Sequence, residues 1–148
     1  MFLAEVNPLN SSALIFPALE CIHIFGFAIC VGTIGIVDLR MLGLTMGHQG
    51  IAEVARDMAP WTLIGLALIL LSGPLMFSSD PDMYYLNPSF QVKMVCFAAA
   101  LLFNYTVHRK VALAGGKEVS ARLVGGISLM LWATVIFGGI FIAFTGQM

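Results

Sequence analysis

Four long apolar stretches dominate the order of hydrophobic and polar residues along the chain. A helix that crosses a bilayer needs about 20 mainly apolar residues, and each stretch is close to that length or longer. We therefore predict an all-α integral membrane protein whose single domain is a four-helix transmembrane bundle. The predicted spans are Ala13–Val37, Ala59–Phe77, Phe90–Val107 and Leu123–Phe144.

The connections between the spans are short, so sequential helices should be antiparallel neighbours. Asn87-Pro88 is typical of a helix start and lies just before the third span. Before the second span the sequence predicts a separate short helix on the membrane surface. Its apolar side would carry Ile51, Val54, Ala55 and Met58, and its polar side Glu53, Arg56 and Asp57.

Composition supports a membrane class and narrows the partners. Hydrophobic residues make up 59% of the 148 residues and charged residues 10%, against about 25% charged in a soluble domain. The net charge of −1 gives no basic face for nucleic acid, so membrane lipid is the expected surroundings. The three cysteines lie in apolar runs without metal-binding spacing and are expected to pack between helices; they are Cys21, Cys30 and Cys96.

The basic residues predict an orientation. Six of the seven lie in the first and third connections, and only Lys93 lies near the opposite end of a span. The positive-inside rule makes these two connections cytoplasmic and both chain termini non-cytoplasmic. The six residues are Arg40, Arg56, Arg109, Lys110, Lys117 and Arg122.

Several polar side chains fall inside the spans, where a charge costs about 3 kcal/mol and usually faces the bundle interior. Glu20 and His23 lie one turn apart in the first span and therefore share a face. That face continues through Gly26, Cys30 and Thr33. The third span carries a matching stripe, and Trp132 lies in the middle of the fourth. The stripe consists of Lys93, Phe97, Ala100, Asn104 and His108.

Two explanations compete for these stripes. In the first, small residues let helices approach closely and polar side chains bond across them, as expected for Gly32-x-x-Gly35 and Gly138-Gly139. In the second, the stripes form a slot for b-type haem (heme b), with small residues, aromatic covers and an imidazole for the iron. The residues predicted to bind the haem are His23, His108, Gly26, Lys93, Asn104, Trp132 and Arg122.

The two histidines of the stripes are the predicted metal ligands. His23 and His108 lie on parallel helices at heights that differ by about 12 Å at 1.5 Å per residue. Either one haem takes His23 and leaves the sixth position open or filled by a non-histidine ligand, or two haems lie at different depths. Lys93 or Arg122 is expected near the propionates. His48 could add an inner ligand, although its polar turn favours an exposed residue.

Two acidic residues have open roles. Glu20 is either a neutral, hydrogen-bonded carboxyl group or part of a proton path from the outer side, with Lys93 as a partner. Asp38 and Arg40 close the first span and are expected to anchor it at the interface, where they could form an ion pair.

The motifs resemble a known family. Glu20-Cys21-Ile22-His23, Gly32-Thr33 and Asp38-Leu39-Arg40-Met41-Leu42-Gly43 resemble the opening of a family of small bacterial four-helix membrane proteins of unknown function, with the pattern E-x-x-H … G-[ST] … D-L-R-L-L-G. The later motifs follow in order over nearly the whole chain: Pro60-Trp61-Thr62, Gly65, Asn87-Pro88, Asn104, His108, Ala121-Arg122-Leu123, Ser128 and Trp132.

More remotely, the layout is similar to the four-helix membrane protoporphyrinogen oxidases and to the membrane domains of copper-resistance proteins. Both groups place a histidine in helix one, and a lysine followed by a histidine in helix three. The oxidases bind haem b, so this resemblance implies haem and redox chemistry. The resemblance to the small bacterial family implies the bacterial inner (plasma) membrane.

These observations together predict a haem-binding protein that transfers electrons as the membrane partner of another redox protein. The main alternative is a non-catalytic accessory subunit of a larger membrane complex, in which the same polar residues serve packing alone. An oxidase-like enzyme acting on porphyrinogens and a proton or metal-ion transporter are further alternatives.

Overall fold

Four helices in the structure, a computed structural model, are long and apolar enough to cross a membrane. The structure describes residue 9, residues 12–115 and residues 118–145, and these contain no strand. The all-α fold is therefore confirmed, and the four long helices have the length and composition of a multi-pass membrane protein. In chain order the helices are α1 (Ile15–Met41), α2 (Ile51–Ser79), the short α3 (Pro81–Tyr85), α4 (Pro88–Leu113) and α5 (Glu118–Thr145).

The long helices pack as two close pairs. Helix α1 lies against α2 and α4 lies against α5, and α1 also contacts α5. An apolar core fills the centre, consisting of Cys30, Ile34, Ile69, Phe97, Ala100, Trp132 and Val135. A second apolar cluster lies towards the first and third connections and consists of Val37, Met41, Val54, Ala112 and Ala121.

The basic residues gather at one end of this bundle. They lie near the end of α1, the start of α2, the end of α4 and the start of α5, which meet at one end of the bundle. We call this the basic end, and its residues are Arg40, Arg56, Arg109, Lys110 and Arg122. Lys93 lies in the second turn of α4, towards the opposite end. Lys117 lies outside the described residues. The sidedness in the membrane remains a prediction.

The prediction of a separate surface helix before the second span is wrong. Residues 51–58 form the first turns of α2, which continues without a break through Pro60. The apolar side of this segment packs against Val37 and Met41, with Val54 only 2% exposed. Because these side chains find a protein partner, the segment joins the bundle instead of lying on the lipid surface.

A π-helical turn interrupts α4 at Asn104–His108. Its wider winding keeps Asn104 and His108 on the inner face, and both side chains are buried. The helix then resumes and ends at Leu113, beyond the predicted end at Val107. Turns of this kind occur frequently at functional sites.

The glycines show where helices approach most closely. A Cβ on Gly65 of α2 would lie 2.5 Å from Cys30 N and 2.8 Å from Gly26 O of α1. The packing role expected for Gly32 and Gly35 is wrong, because a Cβ on either would meet nothing within 4 Å. These two glycines face away from the α1–α2 contact.

Candidate functional site

A cavity of about 400 Å³ lies between α2 and α4, towards the end opposite the basic end. We call it the His23 cavity. Its volume is within the range of roughly 300–1,000 Å³ typical of small-molecule sites. Four phenylalanines dominate its wall, and His23 and Lys93 are the charged or ionisable side chains in it. The phenylalanines are Phe27, Phe77, Phe90 and Phe97.

The His23 imidazole is held in one orientation by α2. Its Nδ1 lies 2.8 Å from Ser72 Oγ, and the Ser72 hydroxyl donates its own hydrogen to Leu68 O at 2.6 Å. Ser72 Oγ must therefore accept the proton on Nδ1. This leaves Nε2 with a free lone pair, and Nε2 makes no hydrogen bond to any described residue.

Close packing on both sides keeps the His23 ring in place. A Cβ on Gly73 would lie 3.4 Å from His23 Cε1, so the glycine lets the ring lie against α2. The Phe27 ring is 5.4 Å away, centroid to centroid, on α1. The imidazole is thus held in one place in the cavity wall, with Nδ1 bonded to Ser72 and with no partner for Nε2 among the described residues.

Lys93 brings a positive charge to the same cavity. Its Nζ lies 5.1 Å from the centroid of the Phe27 ring, and it makes no ion pair with a residue that the structure describes. The glycine pair of α5 accommodates its stem, since a Cβ on Gly138 would lie 3.1 Å from Lys93 Cβ. The packing role expected for Gly138-Gly139 is confirmed, with Lys93 as the group that requires it.

The other predicted haem-slot residues lie elsewhere. Gly26 packs against α2, where a Cβ would lie 2.8 Å from Leu68 Cβ. Trp132 is in the core, edge-on to Phe97 with ring centroids 6.0 Å apart. Arg122 is exposed at the basic end and pairs with Glu118 at 2.6 Å. Lys93, and not Arg122, is therefore the cation near His23.

Glu20 does not join this site through Lys93. Its side chain is exposed in the second turn of α1, and no ion pair connects it to Lys93. The proton path suggested for these two residues remains a prediction.

A second cavity of about 210 Å³ lies between α2 and α4 near the basic end. We call it the His108 cavity. Asn104, Tyr105 and His108 of α4 line it, and Arg56 and Arg109 lie at its edge. The structure thus brings Asn104 and His108 together, but in a different cavity from His23.

His108 has a partner that the sequence did not predict. Its Nε2 lies 2.6 Å from Asp38 Oδ1, and the two side chains are 6% and 0% exposed. Asp38 Oδ2 and the Ser128 hydroxyl of α5 are also buried, and they lie close enough to each other to interact. The expectation that Asp38 anchors α1 at the interface, paired with Arg40, is wrong. Arg40 donates instead to Gln49 O at 2.7 Å.

No three His, Cys, Asp or Glu side chains converge within the described ranges. A haem iron takes four ligands from its porphyrin and needs only one or two from the protein. A single oriented imidazole in an apolar cavity is therefore a sufficient protein contribution for that cofactor.

The fold and these cavities define a class, a helical protein with four apolar helices suited to crossing a membrane and two cavities between them. Residues 13–145 match the model of the family of unknown function DUF6644, so the chain belongs to this family. No curated protein and no solved structure matches the chain. Membership agrees with the resemblance to a small membrane family of unknown function, while the more remote similarity to the porphyrinogen oxidases remains a prediction.

Proposed function

We propose that the protein binds one b-type haem in the His23 cavity and transfers electrons within the membrane. The observation that carries this proposal is His23 itself. Its Nδ1 donates to Ser72 and its Nε2 is unpartnered in the wall of a 400 Å³ apolar cavity. Axial histidines in metal sites almost always have the second nitrogen held in this way by a neighbouring acceptor.

The rest of the cavity suits the macrocycle. Phenylalanine rings provide apolar, aromatic surface for a flat ring system. Lys93 supplies a cation that has no carboxylate partner in the described part of the chain, and a haem propionate would neutralise it. Met94 also lines the cavity, so the sixth position is either open or taken by its thioether sulfur.

One haem is favoured over two. The His108 cavity has about half the volume of the His23 cavity. His108 also has its Nε2 committed to Asp38. Its remaining Nδ1 adjoins the side-chain stem, where a bound macrocycle would collide with α4. We therefore propose His23, and not His108, as the histidine that would hold the haem.

The haem would supply one-electron redox chemistry, and the chain would bind, orient and shield it. Electron transfer requires a second redox protein, which we propose as the partner. By the positive-inside rule the basic end faces the cytoplasm of a bacterial inner membrane. The His23 cavity would then lie in the outer half of the bilayer, and its partner would dock on the non-cytoplasmic side.

The test is the absorption spectrum of purified protein from haem-replete cells. We expect a Soret band and a reduced α-band typical of b-type haem. His23→Ala should abolish or strongly shift these bands, because the iron loses its imidazole. His48→Ala is the matched control and should leave them unchanged, since His48 is exposed in the first connection.

The accessory-subunit alternative predicts a different outcome. A folded, colourless preparation that gains no Soret band on haem titration would contradict haem binding. The polar residues would then serve packing in a larger complex.

A further inference from the structure

The His108 cavity contains buried polar groups that the haem proposal does not use. Asn104 is only 7% exposed, yet its side-chain amide makes no hydrogen bond to the described part of the chain. His108 is 4% exposed and uses only Nε2, towards Asp38. Buried polar groups are nearly always satisfied, so these two point to a ligand in the cavity that they line.

Both groups lie on the π-helical turn of α4 and line the same cavity. Asn104 and His108 are the first and last residues of this turn, which places them almost directly above one another on one face of α4. An amide donor and an imidazole nitrogen are thereby presented side by side. A ligand with two oxygen atoms could form one hydrogen bond with the Asn104 amide and another with the His108 imidazole.

The size and walls of the cavity limit the ligand to a small ring. Its volume of about 210 Å³ is below the usual range for drug-sized ligands and suits a single substituted ring. Aliphatic side chains form much of the wall, among them Ile34, Val37 and Leu63. The rim residues Leu63 and Leu113 are exposed, so an apolar tail could leave between α2 and α4 into lipid.

The charges favour a neutral head group. Arg56 and Arg109 lie at the edge of the cavity and are exposed. The Asp38 carboxyl group lies behind His108, bonded to its Nε2. An anionic head group bonded to His108 would therefore lie near a second acidic group. A head group with carbonyl or hydroxyl oxygens avoids that repulsion and satisfies both Asn104 and His108.

We propose that the His108 cavity binds the head group of an isoprenoid quinone. The Asn104 amide N–H donates to one ring carbonyl, and His108 donates its Nδ1–H to the other while its Nε2 stays bonded to Asp38. The isoprenoid tail leaves the bundle between α2 and α4. Quinone binding in the His108 cavity does not require a haem in the His23 cavity. The assay below measures quinone binding alone and needs no haem spectrum.

The test uses the full chain in phosphatidylcholine vesicles and an azido-ubiquinone with a decyl tail. Photolysis should label peptides that contain residues 55–63 and 104–113, and unlabelled decyl-ubiquinone should compete. Asn104→Leu should weaken competition by about tenfold, the effect of losing one buried hydrogen bond. Thr106→Val is the matched control, because Thr106 is exposed on the same turn, and it should behave as the native chain.

Ala59→Phe provides an independent variant if Asn104→Leu fails to fold. Ala59 lines the cavity from α2, so the ring would fill the space while every side chain of the α4 turn stays native, and labelling should fall. Labelling that does not compete, or that neither variant lowers, would overturn the proposal. So would labelling that phosphatidylglycerol displaces and that Arg56→Gln with Arg109→Gln abolishes, since the ligand would then be an anionic lipid.

Discussion

At the scale of single residues, the Asp38–His108 pair places two ionisable groups inside the bundle. Both groups are buried, and their hydrogen bond joins α1 to α4. Groups of this kind contribute little net stability while paired, because each was removed from water. Either one left alone carries the full cost of an unsatisfied buried group.

We therefore expect Asp38→Leu to lower the free energy of unfolding by about 3–5 kcal/mol. Replacement of both Asp38 and His108 by Leu should restore most of this loss, because no buried polar group is left unpaired. Glu118→Gln is the control, since it removes an exposed pair with Arg122 and should cost at most about 1 kcal/mol. Thermal unfolding in detergent, followed by circular dichroism, measures all three. Equal losses for the single and double variants would contradict this account.

The sequence placed His108 in the polar stripe of the third span and Asp38 at the interface as an anchor, and did not join them. Asp38 and His108 lie at similar heights, about 5 Å apart along the helices, because α1 begins at Ile15 and α4 at Pro88. The predicted starts at Ala13 and Phe90 were each wrong by two residues, in opposite directions. That error raised the apparent separation to about 10 Å and hid the contact.

At the scale of helices, apolar length was enough to predict the four spans, while helix rotation was not predictable. The sequence grouped Gly26, His23 and Trp132 in one slot. The structure turns Gly26 towards α2 and Trp132 into the core. An apolar stripe indicates that a helix has an inner side, but its neighbour is chosen by packing against side chains distant in sequence.

The contact between α1 and α2 gives a prediction at this scale. Gly65→Ala places a methyl group 2.5 Å from the Cys30 backbone nitrogen, and backbone cannot move aside as a side chain can. The helices must separate, at a cost of about 1–3 kcal/mol or more.

Gly32→Ala is the matched control for this contact, because its Cβ would meet nothing within 4 Å. It should leave the unfolding temperature unchanged or slightly raised, since alanine favours the helix. The same thermal unfolding assay compares the two variants. A Gly65→Ala protein as stable as Gly32→Ala would show that the α1–α2 spacing is not tight.

At the scale of the whole molecule, the basic end predicts how the bundle is inserted. Reporter fusions after Lys117 should be active as cytoplasmic fusions, and fusions after Met148 as external ones, because clustered Lys and Arg remain on the cytoplasmic side. Arg109→Glu with Lys110→Glu should weaken this preference. The reverse pattern of reporter activity in the native chain would contradict the orientation without changing the number of spans.

The gap between α2 and α4 has a consequence for how ligands are selected. Both cavities have exposed residues of these helices at their edges, Leu70 and Met94 for one and Leu63 and Leu113 for the other. A ligand that enters through such an edge comes from the hydrocarbon phase, so its partition coefficient multiplies its affinity for the site. A site with low intrinsic affinity can then still bind a hydrophobic ligand. A water-soluble compound with the same head group would not occupy the site, because its concentration in the bilayer is low.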